Sequence, residues 1–72
     1  MKRTPVASSS LAAVGYEAAT QRLEVEFVSG RVYRYSEVPE FLFRALLAAR
    51  SKGRYFNQSI RDRFPYEELD VP

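Results

Sequence analysis

From Arg22 to Phe27, charged and apolar residues alternate without a break: Leu23, Val25 and Phe27 against Arg22, Glu24 and Glu26. Successive strand side chains point to opposite faces, so this segment reads as a strand with one buried face and one charged face. Paired residues on neighbouring strands share a face, and that parity tests the loops on either side. A three-residue loop at Val28-Ser29-Gly30 sets Val25 opposite Tyr33 and Leu23 opposite Tyr35. It also puts glycine where such a loop needs a left-handed backbone. A four-residue loop at Ala18-Ala19-Thr20-Gln21 sets Glu17 opposite Arg22, Tyr16 opposite Leu23 and Val14 opposite Val25. The expected strands therefore run over Val6 to Tyr16 (clearest from Ala13 to Glu17), around Leu23 to Phe27, and over Arg31 to Tyr35.

After Tyr35 the period changes. Ser36-Glu37-Val38-Pro39 carries helix-start signals: a capping serine, an acid in the first turn and an early proline. Val38, Leu42, Ala45, Leu46 and Ala49 repeat at helical spacing, with Phe41, Phe43 and Leu47 widening the stripe. A helix is predicted over about residues 39–50. Gly53 is expected to end it in a left-handed conformation. A second helix over about residues 54–62 would bury Phe56 and Ile60, and Pro65 would stop it. The fold class is α+β, a three-stranded antiparallel meander packed against two C-terminal helices in the order β-β-β-α-α. Residues 1–5 read as a flexible N-terminus, and residues 67–72 as an acidic tail behind anchors at Tyr66 and Leu69.

Composition narrows the chemistry. At 72 residues with 46% hydrophobic content, one small core is expected. A chain of this size buries only about 60% of the surface its unfolded form exposes. There is no cysteine and no histidine. That removes disulfides, the commonest zinc ligands, the usual neutral-pH acid/base and the thiol nucleophile. No cofactor, metal site or catalytic activity is expected. No apolar run approaches the roughly 20 residues that cross a bilayer, and Ser8-Ser9-Ser10 interrupts the only N-terminal candidate for a leader. Lack of cysteine fits a cytoplasmic location.

The net charge of +2 hides an asymmetry. Residues 44–63 hold Arg44, Arg50, Lys52, Arg54, Arg61 and Arg63 against Asp62 alone, whereas the last nine residues hold Glu67, Glu68 and Asp70 with no cation. Such a run marks either an anionic partner or an ordinary solvated helix surface. Tyr33 and Tyr35 stand two apart on one strand, the spacing at which aromatics stack on bases. Parity, however, puts them on the face of Leu23 and Val25, beneath the helices, which favours the core. Arg31 falls at the rim of that face, while Val32 and Arg34 fall on the opposite face beside Glu24 and Glu26, where cross-strand pairing accounts for the charges. The carboxylates of Glu24 and Glu26 read as a solubility pattern and not as an acid/base pair.

Taken in order, Ser9-Ser10-Leu11, Gly15-Tyr16, Leu23-x-Val25-x-Phe27, Gly30-x-x-Tyr33-x-Tyr35, Val38-Pro39, Ala49-x-Ser51-x-Gly53-x-Tyr55-Phe56-Asn57 and Ile60-Arg61 resemble the KTSC domain. This small bacterial module takes its name from the C-terminus of some lysyl-tRNA synthetases and also occurs as a stand-alone protein. The resemblance spans residues 6–66, taken as a single domain. It implies a domain of unestablished function with no assigned catalytic residues, and its attachment to a synthetase suggests RNA binding. Together with the charge run, it points to RNA or another polyanion at the helix-helix junction. Arg50, Lys52, Arg54 and Arg61 would meet phosphates, and Tyr55 and Asn57 would orient the ligand. Within the same segment, Ser51 as a cap, Gly53 as strain relief and Asn57 bonded to a neighbouring loop would serve structure alone. The alternative is a protein-interaction module that meets a partner or its own copy, through a sheet edge or through Phe43 and Leu47 on the first helix.

Overall fold

The structure, a computed structural model that describes residues 2–69, is an α+β arrangement of five antiparallel strands and two helices. The strands are β1 (Thr4–Pro5), β2 (Leu11–Glu17), β3 (Arg22–Phe27), β4 (Val32–Tyr35) and β5 (Tyr66–Leu69). They lie side by side in sequence order. The helices α1 (Glu40–Ala48) and α2 (Lys52–Ser59) fall between β4 and β5.

Both central hairpins adopt the register that parity demands. Tyr16 pairs with Leu23, Val14 with Val25, Leu23 with Tyr35, and Val25 with Tyr33. Gly30 sits at φ 97 and its amide donates to the Phe27 carbonyl at 2.9 Å, closing the three-residue loop. Gln21 ends the four-residue loop at φ 56. The apolar face of this ribbon supplies Val14, Leu23, Val25 and Tyr35 to a core completed by Leu11, Val38, Leu46, Phe56 and Ile60. Leu23, Val25, Leu46 and Ile60 are fully excluded from solvent. Each such side chain contributes about 1.5–3 kcal/mol of transfer free energy.

The three-stranded expectation falls short by two strands. Tyr66–Leu69, expected as a tail, pairs along the whole of β4, with Tyr66 opposite Tyr35 and Glu67 opposite Arg34. Thr4–Pro5, expected to be loose, pairs with Ala13 and Val14. Met1 and residues 70–72 of the expected termini lie outside the described residues. The first strand is correspondingly shorter than predicted. Residues 6–10 form a loop in which the Ser8 hydroxyl accepts from the amides of Ser10 and Leu11, both at 3.2 Å.

The charged face is less wet than expected. Arg34 donates twice to one Glu24 carboxylate oxygen, from Nε at 3.3 Å and Nη2 at 3.0 Å, and also lies 3.5 Å from Glu67. Arg3 approaches Glu24 and Glu26 at 3.8 and 3.9 Å. Glu24 is only 6% exposed under these arginines. The backbone reaches this position because Gly15 leaves space: a Cβ there would stand 2.6 Å from the Lys2 carbonyl oxygen.

The helix boundaries differ from the prediction for local reasons. Ser36 does not cap α1, since its amide donates to the Pro65 carbonyl at 2.8 Å and the chain turns at Glu37 with φ 61. Pro39 is the N-cap, with no side-chain hydrogen bond, and Glu40 supplies the acid of the first turn. Gly53 is not the left-handed stop. α1 ends at Ala48 with Ala49 extended, and Gly53 lies inside α2, whose N-cap is Ser51, with its hydroxyl accepting from the Arg54 amide at 3.3 Å. Gly53 matters instead as a close approach: a Cβ there would stand 3.0 Å from Ser10 Oγ and 3.2 Å from Ser10 Cβ.

Candidate functional site

α2 presents two sides. Phe56 and Ile60 are buried, whereas Arg54, Asn57, Gln58 and Arg61 are all exposed. Residues spaced three and four apart share a helix face, so these four make one polar stripe that ends just past the helix. Of the expected site residues, Arg54, Asn57 and Arg61 lie on it. Arg50 is exposed at the bend between the helices. Lys52 is turned to a structural task, with Nζ donating to the Ala49 carbonyl at 3.1 Å at the end of α1. Tyr55 is half-buried against the core. The six residues therefore separate into a junction group (Arg50, Lys52, Arg54) and a group at the far end of α2 (Asn57, Arg61), while Tyr55 packs inward.

The far group adjoins a cleft of about 540 Å³ that the sequence reading did not anticipate. Its walls are aromatic. Tyr66 stacks on Tyr33 at 5.6 Å between ring centroids with planes 27° apart, and lies 5.5 Å from the Tyr35 ring. Phe27 meets Tyr33 edge-on at 5.6 Å, and Phe56 meets Tyr35 edge-on at 5.4 Å. Parity is thus upheld for both tyrosines: Tyr35 is 2% exposed in the core, and Tyr33, on the same face and half-buried against the core, also forms part of the cleft wall. Tyr66 is the functional candidate that the sequence missed. It is 58% exposed and becomes a wall residue only because β5 pairs with β4.

Polar groups line the same opening: Ser9, Ser10, Ser29, Asn57, Asp62, Arg31 and Arg61. Arg31 lies 3.9 Å from Glu68, a loose exposed pair. The Tyr35 hydroxyl forms no hydrogen bond with the described residues, and because none of their buried polar side-chain atoms lacks a partner, it is open to solvent at the cleft. Burial pushes this phenol up to about 12 against the downward pull of Arg61. Tyr16, outside the cleft, is also raised, by burial first and then by the Glu40 carboxylate, and its hydroxyl donates to the Val38 carbonyl at 2.5 Å.

The surfaces of the protein-interaction alternative are partly used up. Phe43 stacks on Tyr16 at 5.0 Å with planes 13° apart, leaving Phe41 and Leu47 as the exposed apolar residues of α1. The β5 edge carries Glu67 and Glu68, charges that discourage strand addition. Among the described residues, no helix is long and apolar enough to cross a membrane.

Comparison with known proteins agrees with the motif order. The model of the KTSC domain matches residues 7–64, which span β2 to the end of α2 and leave both edge strands outside the match. An uncharacterized protein of Stutzerimonas stutzeri is 48% identical over 71 residues, covering 97% of this chain and all of that protein. A lysine–tRNA ligase of Trichormus variabilis is 48% identical over 54 residues, covering 75% of this chain but only 10% of the ligase. The crystal structure of a KTSC domain protein from Yersinia pestis superposes with a TM-score of 0.93 at 33% identity, over 96% of this chain and 97% of that one. With a family match across most of its length and near-complete overlap with a solved member, the chain belongs to the KTSC domain family.

Proposed function

We propose that the protein is a non-catalytic module that binds single-stranded RNA or a similar polyanion through the exposed side of α2 and the helix junction. One observation carries this reading. Among the described residues, Arg3, Arg31, Arg34 and Arg44 each lie within 4 Å of a carboxylate, whereas Arg50, Arg54 and Arg61 have no such partner. Arg22, also without a partner, belongs to the first hairpin, and Arg63 donates to the Gln58 carbonyl at 3.0 Å. Unneutralised guanidinium groups at the helix junction (Arg50, Arg54) and just past the far end of α2 (Arg61) are donors for phosphate oxygens. That the domain also occurs within a lysine–tRNA ligase adds a context in which RNA is at hand.

Phosphate contacts make binding depend on salt, by about −0.7 in logarithmic slope per phosphate neutralised on a single strand. If Lys52 stays on its helix carbonyl, three arginines give a slope of about −2, and release of Lys52 brings it to about −3. Anisotropy of a labelled single-stranded RNA, titrated at several salt concentrations, measures this. The double variant Arg54→Glu with Arg61→Glu should abolish the binding. No binding at low salt, or a slope near zero, refutes the proposal.

A further inference from the structure

We propose that the cleft between β5 and α2 receives one unpaired nucleotide, with its base against the Tyr66–Tyr33 wall and its phosphate toward Arg61. The inference deepens the preceding reading and rests on it, but a different part of the molecule carries it. The cationic stripe explains attraction to a phosphate chain and says nothing about bases. The cleft adds a flat apolar surface, and at about 540 Å³ it lies within the range of small-molecule sites. Tyr66 offers more than half of its surface to solvent, although its ring is held in place by Tyr33 and Tyr35. A ring already fixed loses little freedom on stacking, which is what makes tyrosine a good platform for bases.

The polar groups fit the same ligand. Arg61 stands at the opening without a carboxylate within 4 Å among the described residues, free to meet a phosphate. The Tyr35 hydroxyl sits on a residue only 2% exposed, has no partner among the described residues, and faces the cleft. Solvent satisfies this hydroxyl in the open cleft, so a ligand that enters must offer it a hydrogen bond in exchange. A base edge presents both donors and acceptors, and so does a ribose hydroxyl. Asn57 and Asp62 complete the set, with Asp62 able to accept from an exocyclic amine. Duplexed bases cannot reach such a wall, so the site selects unpaired nucleotides.

The test compares an eight-residue oligoadenylate with an abasic strand of equal length, and follows free adenosine 5′-monophosphate by shifts of the tyrosine ring resonances. Oligoadenylate should bind about five-fold to about a hundred-fold tighter than the abasic strand, the effect of one stacked base. Tyr66→Ala should erase that preference, Tyr66→Phe should keep it, and Arg61→Ala should weaken both strands alike. The free nucleotide should move the rings of Tyr33 and Tyr66. Equal binding of the two strands with unmoved rings overturns the cleft assignment and leaves the cationic stripe standing. Should neither strand bind at low salt, the polyanion reading falls. The free nucleotide then decides the cleft separately: ring shifts retain it and their absence removes it.

Discussion

Replacing Gly53 by alanine is expected to destabilise the protein, although helix propensity alone predicts the opposite. Alanine in place of glycine within a helix is worth up to about 1 kcal/mol. The added methyl group, however, would stand 3.0 Å from Ser10 Oγ and 3.2 Å from Ser10 Cβ, against a comfortable carbon–carbon separation of about 3.5–4.0 Å. The hydroxyl can rotate away, but the Cβ cannot follow easily. Ser10 is held by its amide on the Ser8 hydroxyl at 3.2 Å and by its carbonyl under the Val28 amide at 3.0 Å, and Leu11 next to it is buried in the core. Overpacking against a pinned backbone costs about 1–3 kcal/mol, which exceeds the propensity gain. Gly53→Ala should therefore lower stability by about 1 kcal/mol. In a Ser10→Gly background, which removes the opposing Cβ, the same change should raise it by about 0.5–1 kcal/mol. Urea unfolding of the four proteins in the cycle reads the coupling directly. If Gly53→Ala stabilises the protein with Ser10 intact, the close approach does not constrain this glycine and the reasoning fails.

Two further outcomes follow from groups that the fold encloses. The Tyr35 phenol is raised to about 12 from an unfolded value near 10, so its neutral form favours the folded state; its contribution is complete below about pH 10 and lost as pH rises toward 12. The loss is at most roughly 3 kcal/mol, less because the hydroxyl opens to the cleft; Tyr35→Phe should flatten the fall in urea midpoint between about pH 9.5 and about pH 11.5, and parallel curves for the two proteins would contradict this. Glu24→Gln should cost about 1–2 kcal/mol because it weakens two charge-assisted hydrogen bonds from Arg34, whereas pairing it with Arg34→Met should recover part of that loss; strict additivity in urea unfolding would show that the contact contributes nothing.

The central ribbon was legible because its constraints are local. Alternation sets the face of each residue, and loop length sets the pairing, so Tyr16, Leu23 and Tyr35 fall into line without any knowledge of the rest of the chain. The two helical segments were legible for a similar reason, since the spacing of Leu42, Leu46, Phe56 and Ile60 marks a buried side directly. Their ends were not. Ser36 has the composition of a cap, yet its amide is drawn to Pro65, twenty-nine positions away in the chain, and Gly53 has the composition of a stop, yet what it serves is Ser10.

The sequence by itself determined how the three middle strands align and that Leu23, Val25, Tyr35, Phe56 and Ile60 enter the core, because both follow from side-chain period and loop geometry over a few neighbouring positions. It did not foresee that Val32 is buried and that Phe41 and Leu47 stay exposed. The tertiary structure alone decided that Thr4–Pro5 and Tyr66–Leu69 are strands, for a two-residue strand and one with adjacent glutamates carry no period of their own and gain their hydrogen bonds only from an edge already built. It also decided the site. Tyr66 meets Tyr33 and Tyr35 only across β4 and β5, and Arg61 joins that cleft while Lys52 is diverted to the end of α1, since proximity between distant segments depends on how the helices close over the sheet.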